Sequence, residues 1–243
     1  MKYYSFDIFD TVVTRVVHKP VDVFLLIQKS LQNENNNLPE SIKTYFSPAR
    51  VWAEFKARRL ARKDDVSMGD IYAILRNDYC LSQQHAKYIA NKELEIERKC
   101  LVPLERTISR IRDFHKSGQG VIYISDMYLP SEFIKEILTN HSVFGQKDSL
   151  YVSGEIGLTK GSGKLFRHVL EKEGIPANSL FHYGDNFHSD FVVPRRMGIH
   201  PLLTHLERAE SLQSGKWTKI SNLFNYIYMV CKARARLRSS GAL

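Results

Sequence analysis

The sequence predicts an α/β fold: a parallel sheet with helices on both faces, interrupted after its first strand by a long helical insertion. Three observations carry that expectation. After Pro103, short apolar runs alternate with helical segments over short links, the pattern of strand–helix–strand units in a parallel sheet. An isolated apolar run at 3–9 opens the chain and ends in acidic residues, which reads as a buried strand. Between the two, from about Pro20 to Leu101, apolar residues recur at helical spacing and no convincing strand appears.

Each element follows from local chemistry. Residues 21–31 carry apolar positions at helical spacing, and the Asn-rich run at 33–37 reads as a loop. Ser47-Pro48 predicts a helix start, with an N-cap serine and proline at the first helical position. Ser67 and Asp70 resemble a capping box ahead of apolar residues 71–75. A further helix is expected at 82–100. Beyond Pro103, helices are expected at 104–115, 131–139, 162–172 and 189–196, and strands at 121–124, 150–153, 180–183 and 200–203. Gly118, Gly174 and Gly198 stop three of these helices. The chain thus divides into an α/β core at 1–14 and 102–207, a helical block at 15–101 and a basic C-terminal segment at 208–243.

Composition narrows the function classes. A chain of 243 residues buries a sizeable core, and 43% hydrophobic with 25% charged residues is ordinary for a globular protein. No apolar run reaches the length of a bilayer span and the N-terminus has no signal-peptide pattern, so a soluble, cytoplasmic protein is expected. Cys80, Cys100 and Cys231 are odd in number and form no CxxC pair, which argues against a disulfide framework or a zinc site. The formal net charge is +9, but 208–243 carries Arg208, Lys216, Lys219, Lys232, Arg234, Arg236 and Arg238 against Glu210 alone. The rest is only mildly basic, so net charge gives no argument for nucleic-acid binding.

In sheets of this kind, ligands sit at the carboxyl ends of the strands. Those ends carry Asp7-Ile8-Phe9-Asp10-Thr11, then Ser125-Asp126, then Lys160 ahead of a helix, then Gly184-Asp185-Asn186 with Asp190 beyond. Each alone has an ordinary explanation as a turn, a cap or a solvated lysine. Together they place carboxylates, a hydroxyl and a cation along one sheet edge. Such a set can hold Mg²⁺ and present a carboxylate to phosphorus. Ser125, backbone N–H groups and Lys160 can hold phosphoryl oxygens as charge shifts.

In that order, the four pieces resemble the four motifs of the haloacid dehalogenase (HAD) superfamily, over about 1–14 and 102–207. The resemblance implies a Rossmann-like core with a helical first-type cap, Mg²⁺ as cofactor, and phosphatase-like transfer through an aspartyl-phosphate at Asp7. It implies Asp7 as nucleophile and metal ligand, with the Phe9 carbonyl, Asp185 and Asp190 as further metal positions. It implies Ser125 and Lys160 as catalytic groups on the phosphoryl, with Thr11 and Asp126 beside them in substrate binding. Lys164 is a rival for the lysine role, but Lys160 has the better spacing to the following helix. The runs Ser5-Phe6-Asp7-Ile8-Phe9-Asp10-Thr11 and Ser125-Asp126-Met127-Tyr128-Leu129-Pro130 are also similar to predicted HAD hydrolases associated with bacterial surface-polysaccharide glycosyltransferases. That similarity implies a sugar phosphate or glycan-assembly intermediate as substrate and a glycosyltransferase as partner.

One position departs from the pattern. Most phosphatases of the superfamily place a second aspartate two residues after the nucleophile, where it protonates the leaving group and then activates water. Here that residue is Phe9. Asp10 follows, but one step along a strand reverses side-chain direction. The preferred reading is a phosphohydrolase whose leaving group needs little protonation, such as a phosphoanhydride, or whose acid comes from the helical block or Asp10. The alternatives are a weakly active or inactive domain that binds a phosphorylated ligand or partner, and a 2-haloacid dehalogenase. Against the last stand Asp185 and Asp190, metal carboxylates that dehalogenation does not use.

Three further features have plain readings. Arg50, Lys56, Arg58, Arg59, Arg62 and Lys63 crowd one helix and read first as a solvated face, second as a surface that gathers an anionic substrate. His182 and His188 read as a strand-end and a surface histidine. Residues 217–238 read as a packed helix, with peripheral contact to anionic lipid as the alternative.

Overall fold

The computed structural model describes residues 2–204. The basic segment at 208–243, with its expected helix and lipid contact, lies outside the described residues. In chain order the elements are β1 (Tyr3–Phe6), β2 (Val13–Arg15), α1 (Asp22–Asn33), α2 (Glu40–Leu60), α3 (Met68–Asp78), α4 (Gln83–Cys100), β3 (Leu101–Pro103) and α5 (Glu105–Lys116). There follow β4 (Ile122–Ser125), α6 (Ser131–Asn140), β5 (Ser149–Val152), α7 (Ser153–Ile156), α8 (Lys164–Glu173), β6 (Leu180–Gly184), α9 (Val193–Arg196) and β7 (His200–Leu203).

The expected parallel sheet is present, with strand order β5-β4-β1-β6-β7. All four pairings are parallel, Ser5 lying opposite Ile122 on one side and His182 on the other. The chain steps outward from β1 through β4 to β5, then returns to β6 and β7 on the other side. β1 is therefore the switch point of the sheet, where ligands bind in such folds.

Side-chain alternation sends each strand's residues into two cores. Tyr4 and Phe6 face α5, where Tyr4 stacks on Phe114 at 4.0 Å. Tyr3 and Ser5 face the α8 side with Ile122, Ile124, Leu165, Phe166 and Val169. The larger core runs without a break from Phe6, Tyr123 and Ile108 to Val23, Phe46, Ile71 and Ile89 of the helical insertion.

The insertion leaves and rejoins the sheet through a feature the sequence did not suggest. β2 and β3 pair antiparallel, Val13 with Pro103 and Arg15 with Leu101, and Leu104 N–H donates to Val12 O at 2.9 Å. These strands have three residues each, too short for alternation to show. In the helices, the Ser67–Asp70 capping box is present as expected. The helix start expected at Ser47-Pro48 is corrected. The pair lies inside α2, just past a kink at Tyr45 (φ −121°, ψ 20°). Among the described residues the Ser47 hydroxyl has no hydrogen-bond partner, while its N–H donates to Gln28 Oε1 at 3.0 Å.

On its far side the insertion docks through the α2–α3 loop. Met68 N–H donates to Tyr128 O at 2.8 Å and Asp64 N–H to Gly157 O at 3.0 Å. Asp64 pairs with Lys164 at 2.8 Å, and the Ser153 hydroxyl donates to Asp65. Among the described residues, no helix is long and apolar enough to cross a membrane.

Candidate active site

Strand β1 ends at Phe6, three residues earlier than expected, because the chain turns at once. Val12 and Val13 N–H both donate to Ile8 O, and Asp10 N–H donates to Val13 O at 2.7 Å. Asp10 closes this turn in the left-handed region (φ 60°), which aspartate tolerates better than most residues. Its carboxylate accepts from Thr14 Oγ1 at 2.6 Å. The turn leaves Asp7 just past the strand, its N–H donating to Tyr183 O at 2.8 Å, with 6% of its surface exposed.

The loop ahead of α8 and the segment after β6 converge on Asp7. Lys160 Nζ donates to Asp7 Oδ1 at 2.6 Å and pairs with Asp190 Oδ1 at 2.7 Å. Lys160 precedes α8 in a loop whose backbone is held from β4: its N–H donates to Asp126 Oδ1 at 2.8 Å. Asp126, expected to contact substrate, is here a clamp on the loop that presents Lys160. Ser125 ends β4 and is buried. Lys164, the rival lysine, lies half-exposed on Asp64.

After β6, Asn186 Oδ1 accepts from the N–H groups of His188 and Ser189 and starts a π-helical turn, Phe187–Val192. That turn swings Asp190 back against Gly184 so closely that a Cβ on Gly184 would lie 2.4 Å from Asp190. Only glycine fits there. Asp190 Oδ2 accepts from Asn186 N–H at 3.1 Å. Thr11 Oγ1 reaches Asp185 Oδ1 at 3.4 Å.

One residue here was not anticipated as part of the site. His182, expected at a strand end, is fully buried inside β6. Its Nδ1 meets Ser5 Oγ at 2.8 Å and its Nε2 meets Asp190 Oδ1 at 3.2 Å. The available signal was parity, since His182 shares a sheet face with Ser5. His188 is exposed, as expected.

The electrostatics show a shortage of positive charge. One oxygen each from Asp7, Asp185 and Asp190 lie within 4.8 Å of one another, and Lys160 is the cation that meets two of them. Burial pushes the Asp7 carboxyl up to about 7 against the pull of Lys160. Burial, then Asp190 and Asp10, raises the Asp185 carboxyl. For Asp190, burial works upward, but Lys160 and His182 outweigh it and hold the carboxyl low. Burial opposes charge on Lys160, yet Asp7, Asp190 and Asp126 keep its ammonium above the usual range. Three hard oxygen donors with one balancing cation fit a divalent ion.

Phe9 is buried, and the Arg15 guanidinium lies over its ring at 4.7 Å. The basic residues expected on one helix divide between α2, which ends at Leu60, and the loop after it, where Arg62 and Lys63 lie, and they are largely neutralised by local carboxylates. Arg50 is completely buried on Glu93 and Glu54, Arg58 meets Glu54 and Asp65, Lys56 meets Asp78, and Lys63 meets Asp70. Arg59 and Arg62 remain exposed. This pairing leaves little of the field that substrate gathering needs.

No protein-family model matches the chain and no curated protein is similar to it in sequence. Solved structures are similar. A HAD-family enzyme from Bacteroides thetaiotaomicron superposes with a TM-score of 0.57 at 14% identity, over 87% of this chain and 97% of its own. The same enzyme was crystallised with magnesium and inorganic phosphate (TM-score 0.54, 12% identity, 87% and 98% covered). A HAD phosphatase from Thermococcus onnurineus gives 0.56 at 13% identity over 92% and 98%. A 2-haloacid dehalogenase from Pseudomonas syringae gives 0.58 at 11% identity over 89% and 91%. At such identities the likeness speaks for architecture, and the chain is built on the Rossmann-like α/β fold of the HAD enzymes.

Proposed function

We propose that the protein is a Mg²⁺-dependent phosphoryl-transfer hydrolase that acts on a phosphorylated small molecule through an aspartyl-phosphate at Asp7. The observation that carries this reading is the position of Asp7, which shares a three-carboxylate cluster with Asp185 and Asp190 and a 2.6 Å contact with Lys160. The magnesium and phosphate complex of the Bacteroides enzyme supports the same assignment. Asp7, Asp185 and Asp190 would hold the ion, with the Phe9 carbonyl as a further ligand. When bound, it supplies charge neutralisation between an anionic nucleophile and an anionic substrate.

This chain's own residues would do the rest. An Asp7 oxygen attacks phosphorus, while Lys160 and Ser125 hold the equatorial oxygens. Thr11 buttresses Asp185, and Asp126 keeps Lys160 in reach. The helical insertion would act as a cap over the sheet edge. A sugar phosphate or glycan-assembly intermediate as substrate, and a glycosyltransferase as partner, belong to this proposal on the strength of the runs around Asp7 and Ser125.

The test is phosphate release from a broad phosphometabolite panel with Mg²⁺. Asp7→Asn is expected to lower turnover by at least about 10³-fold, the scale of removing a nucleophile. Thermal melts give a second readout: Mg²⁺ at 100 times its Kd should stabilise the wild type by about 2.7 kcal/mol relative to EDTA. Phe9 favours a second reading, a binder of phosphorylated ligands; Mg²⁺-dependent binding without turnover on the whole panel would replace the first reading by it. Halide release from a 2-halo acid without metal would point instead to dehalogenation.

A further inference from the structure

The position two residues after Asp7 holds a phenylalanine, and the structure shows what accompanies it. Arg15 of β2 lies over the Phe9 ring at 4.7 Å. Its Nε donates to Glu97 Oε1 at 2.6 Å and its Nη2 meets the same carboxylate. Its Nη1 makes no hydrogen bond among the described residues, and 9% of the side chain stays exposed. Besides Glu97, the groups coupled to it by charge include Tyr128, three residues beyond Ser125, Asp10 and Cys100. Arg15 therefore sits against the turn that carries Asp7, on the ring of Phe9. It is fixed there by the pairing of β2 with β3 and by Glu97 of α4.

An acid and a cation serve a leaving group in different ways. A carboxylic acid supplies a proton, which an alkoxide must have. Phe9 has none to give, and an arginine keeps its proton at any working pH. What Arg15 can supply is fixed positive charge and planar N–H donors, which suit an oxygen that leaves as an anion and stays one.

Building on the phosphoryl-transfer reading above, we propose that Arg15 stabilises the departing group in place of acid catalysis, and that the substrate class is a phosphoanhydride such as a nucleoside or sugar diphosphate. The terminal phosphorus bonds to an Asp7 oxygen, and the bridging P–O bond breaks with its electron pair going to the bridging oxygen. The leaving group departs as a phosphate monoester dianion, and no proton is needed. Water then attacks the aspartyl-phosphate. The bond from Asp7 to phosphorus breaks, Asp7 regains its carboxylate, and both protons of the water leave with inorganic phosphate. Both steps balance without a general acid, which is what the residues around Phe9 provide.

Leaving-group dependence tests this directly. With Mg²⁺, kcat/KM is measured on three substrate sets: pyrophosphate, ADP and UDP; 4-nitrophenyl phosphate; glycerol 3-phosphate and glucose 6-phosphate. Wild type is expected to favour the anhydrides over the alkyl esters by at least about 10²-fold, the scale of a missing general acid. Phe9→Asp should raise alkyl-ester turnover at least about tenfold. The double variant Arg15→Met/Glu97→Gln removes the cation without stranding a buried carboxylate. It should lower anhydride turnover about 10²-fold and 4-nitrophenyl phosphate turnover far less, while Arg15→Lys keeps the preference. Alkyl esters turned over as fast as anhydrides by the wild type would overturn the proposal, and this outcome needs no variant to fold. An equal loss on all three substrate sets in a folded double variant would also overturn it, leaving Arg15 a structural ion pair. No Asp7-dependent turnover on any substrate would instead remove the phosphoryl-transfer reading, and this inference with it.

Discussion

Arg50→Met is expected to destabilise the protein by about 3–5 kcal/mol, the cost of stranding one partner of a buried ion pair. Arg50 and Glu93 both have completely buried side chains. The guanidinium donates Nε and Nη2 to the two oxygens of Glu93, at 2.9 and 3.0 Å. It lies 4.6 Å from the ring centres of both Phe24 and Tyr128. Methionine fills similar volume between those rings but, among the described residues, leaves Glu93 with only Tyr72 Oη, at 2.7 Å, and uncompensated charge. Urea unfolding measures the loss directly. In a melt it should appear as a drop on the order of 10 °C. Arg50→Met/Glu93→Gln should recover much of it, since the remaining group is then uncharged. A single variant within 1 kcal/mol of wild type would show that water reaches Glu93 and that the pair is not buried in solution.

Lys160→Met should have the second large effect, and the effect should depend on metal. Lys160 is 2% exposed and bonds to both Asp7 and Asp190. Without it, a cluster already short of positive charge loses its balancing cation. In EDTA the variant should lose about 3–5 kcal/mol. With Mg²⁺ the loss should shrink, because the ion restores charge to the same carboxylates. Turnover should fall about 10²–10³-fold, the scale of removing one group that stabilises transition-state charge. Equal destabilisation with and without Mg²⁺ would mean the ion does not bind where Lys160 does.

Much of the sheet was legible because its signals are local. β7 matches the expected range, and the ends of β4, β5, β6 and α5 move by a residue or so, since each is bounded by turn residues or glycine. The Ser67 cap and the loop after α1 were likewise written in a few adjacent residues. What escaped was set by distant partners. Arg50 looked like part of a solvated basic face because its partner, Glu93, is 43 residues away. β2 and β3 were missed because each is recognisable only beside the other. His182 and Ser5 are separated by 177 positions. The expected helix at 189–196 is a π-helical turn followed by one short α-helical turn, and this widened turn carries Asp190 back to Gly184. Arg15 drew no notice in the sequence, where it is one basic residue among many.

The unbroken apolar core bears on how the molecule comes apart. Phe6 and Tyr123 of the sheet belong to the same buried cluster as Val23, Phe46 and Ile89 of the insertion. Neither part can open fully without exposing the other's apolar surface, so the heat-absorbing transitions of the two are tied together. Calorimetry should record one peak for this body, with calorimetric and van't Hoff enthalpies in agreement, as for a protein with a single cooperative unit. Two separated peaks within residues 2–204 would mean that the shared core divides before it melts.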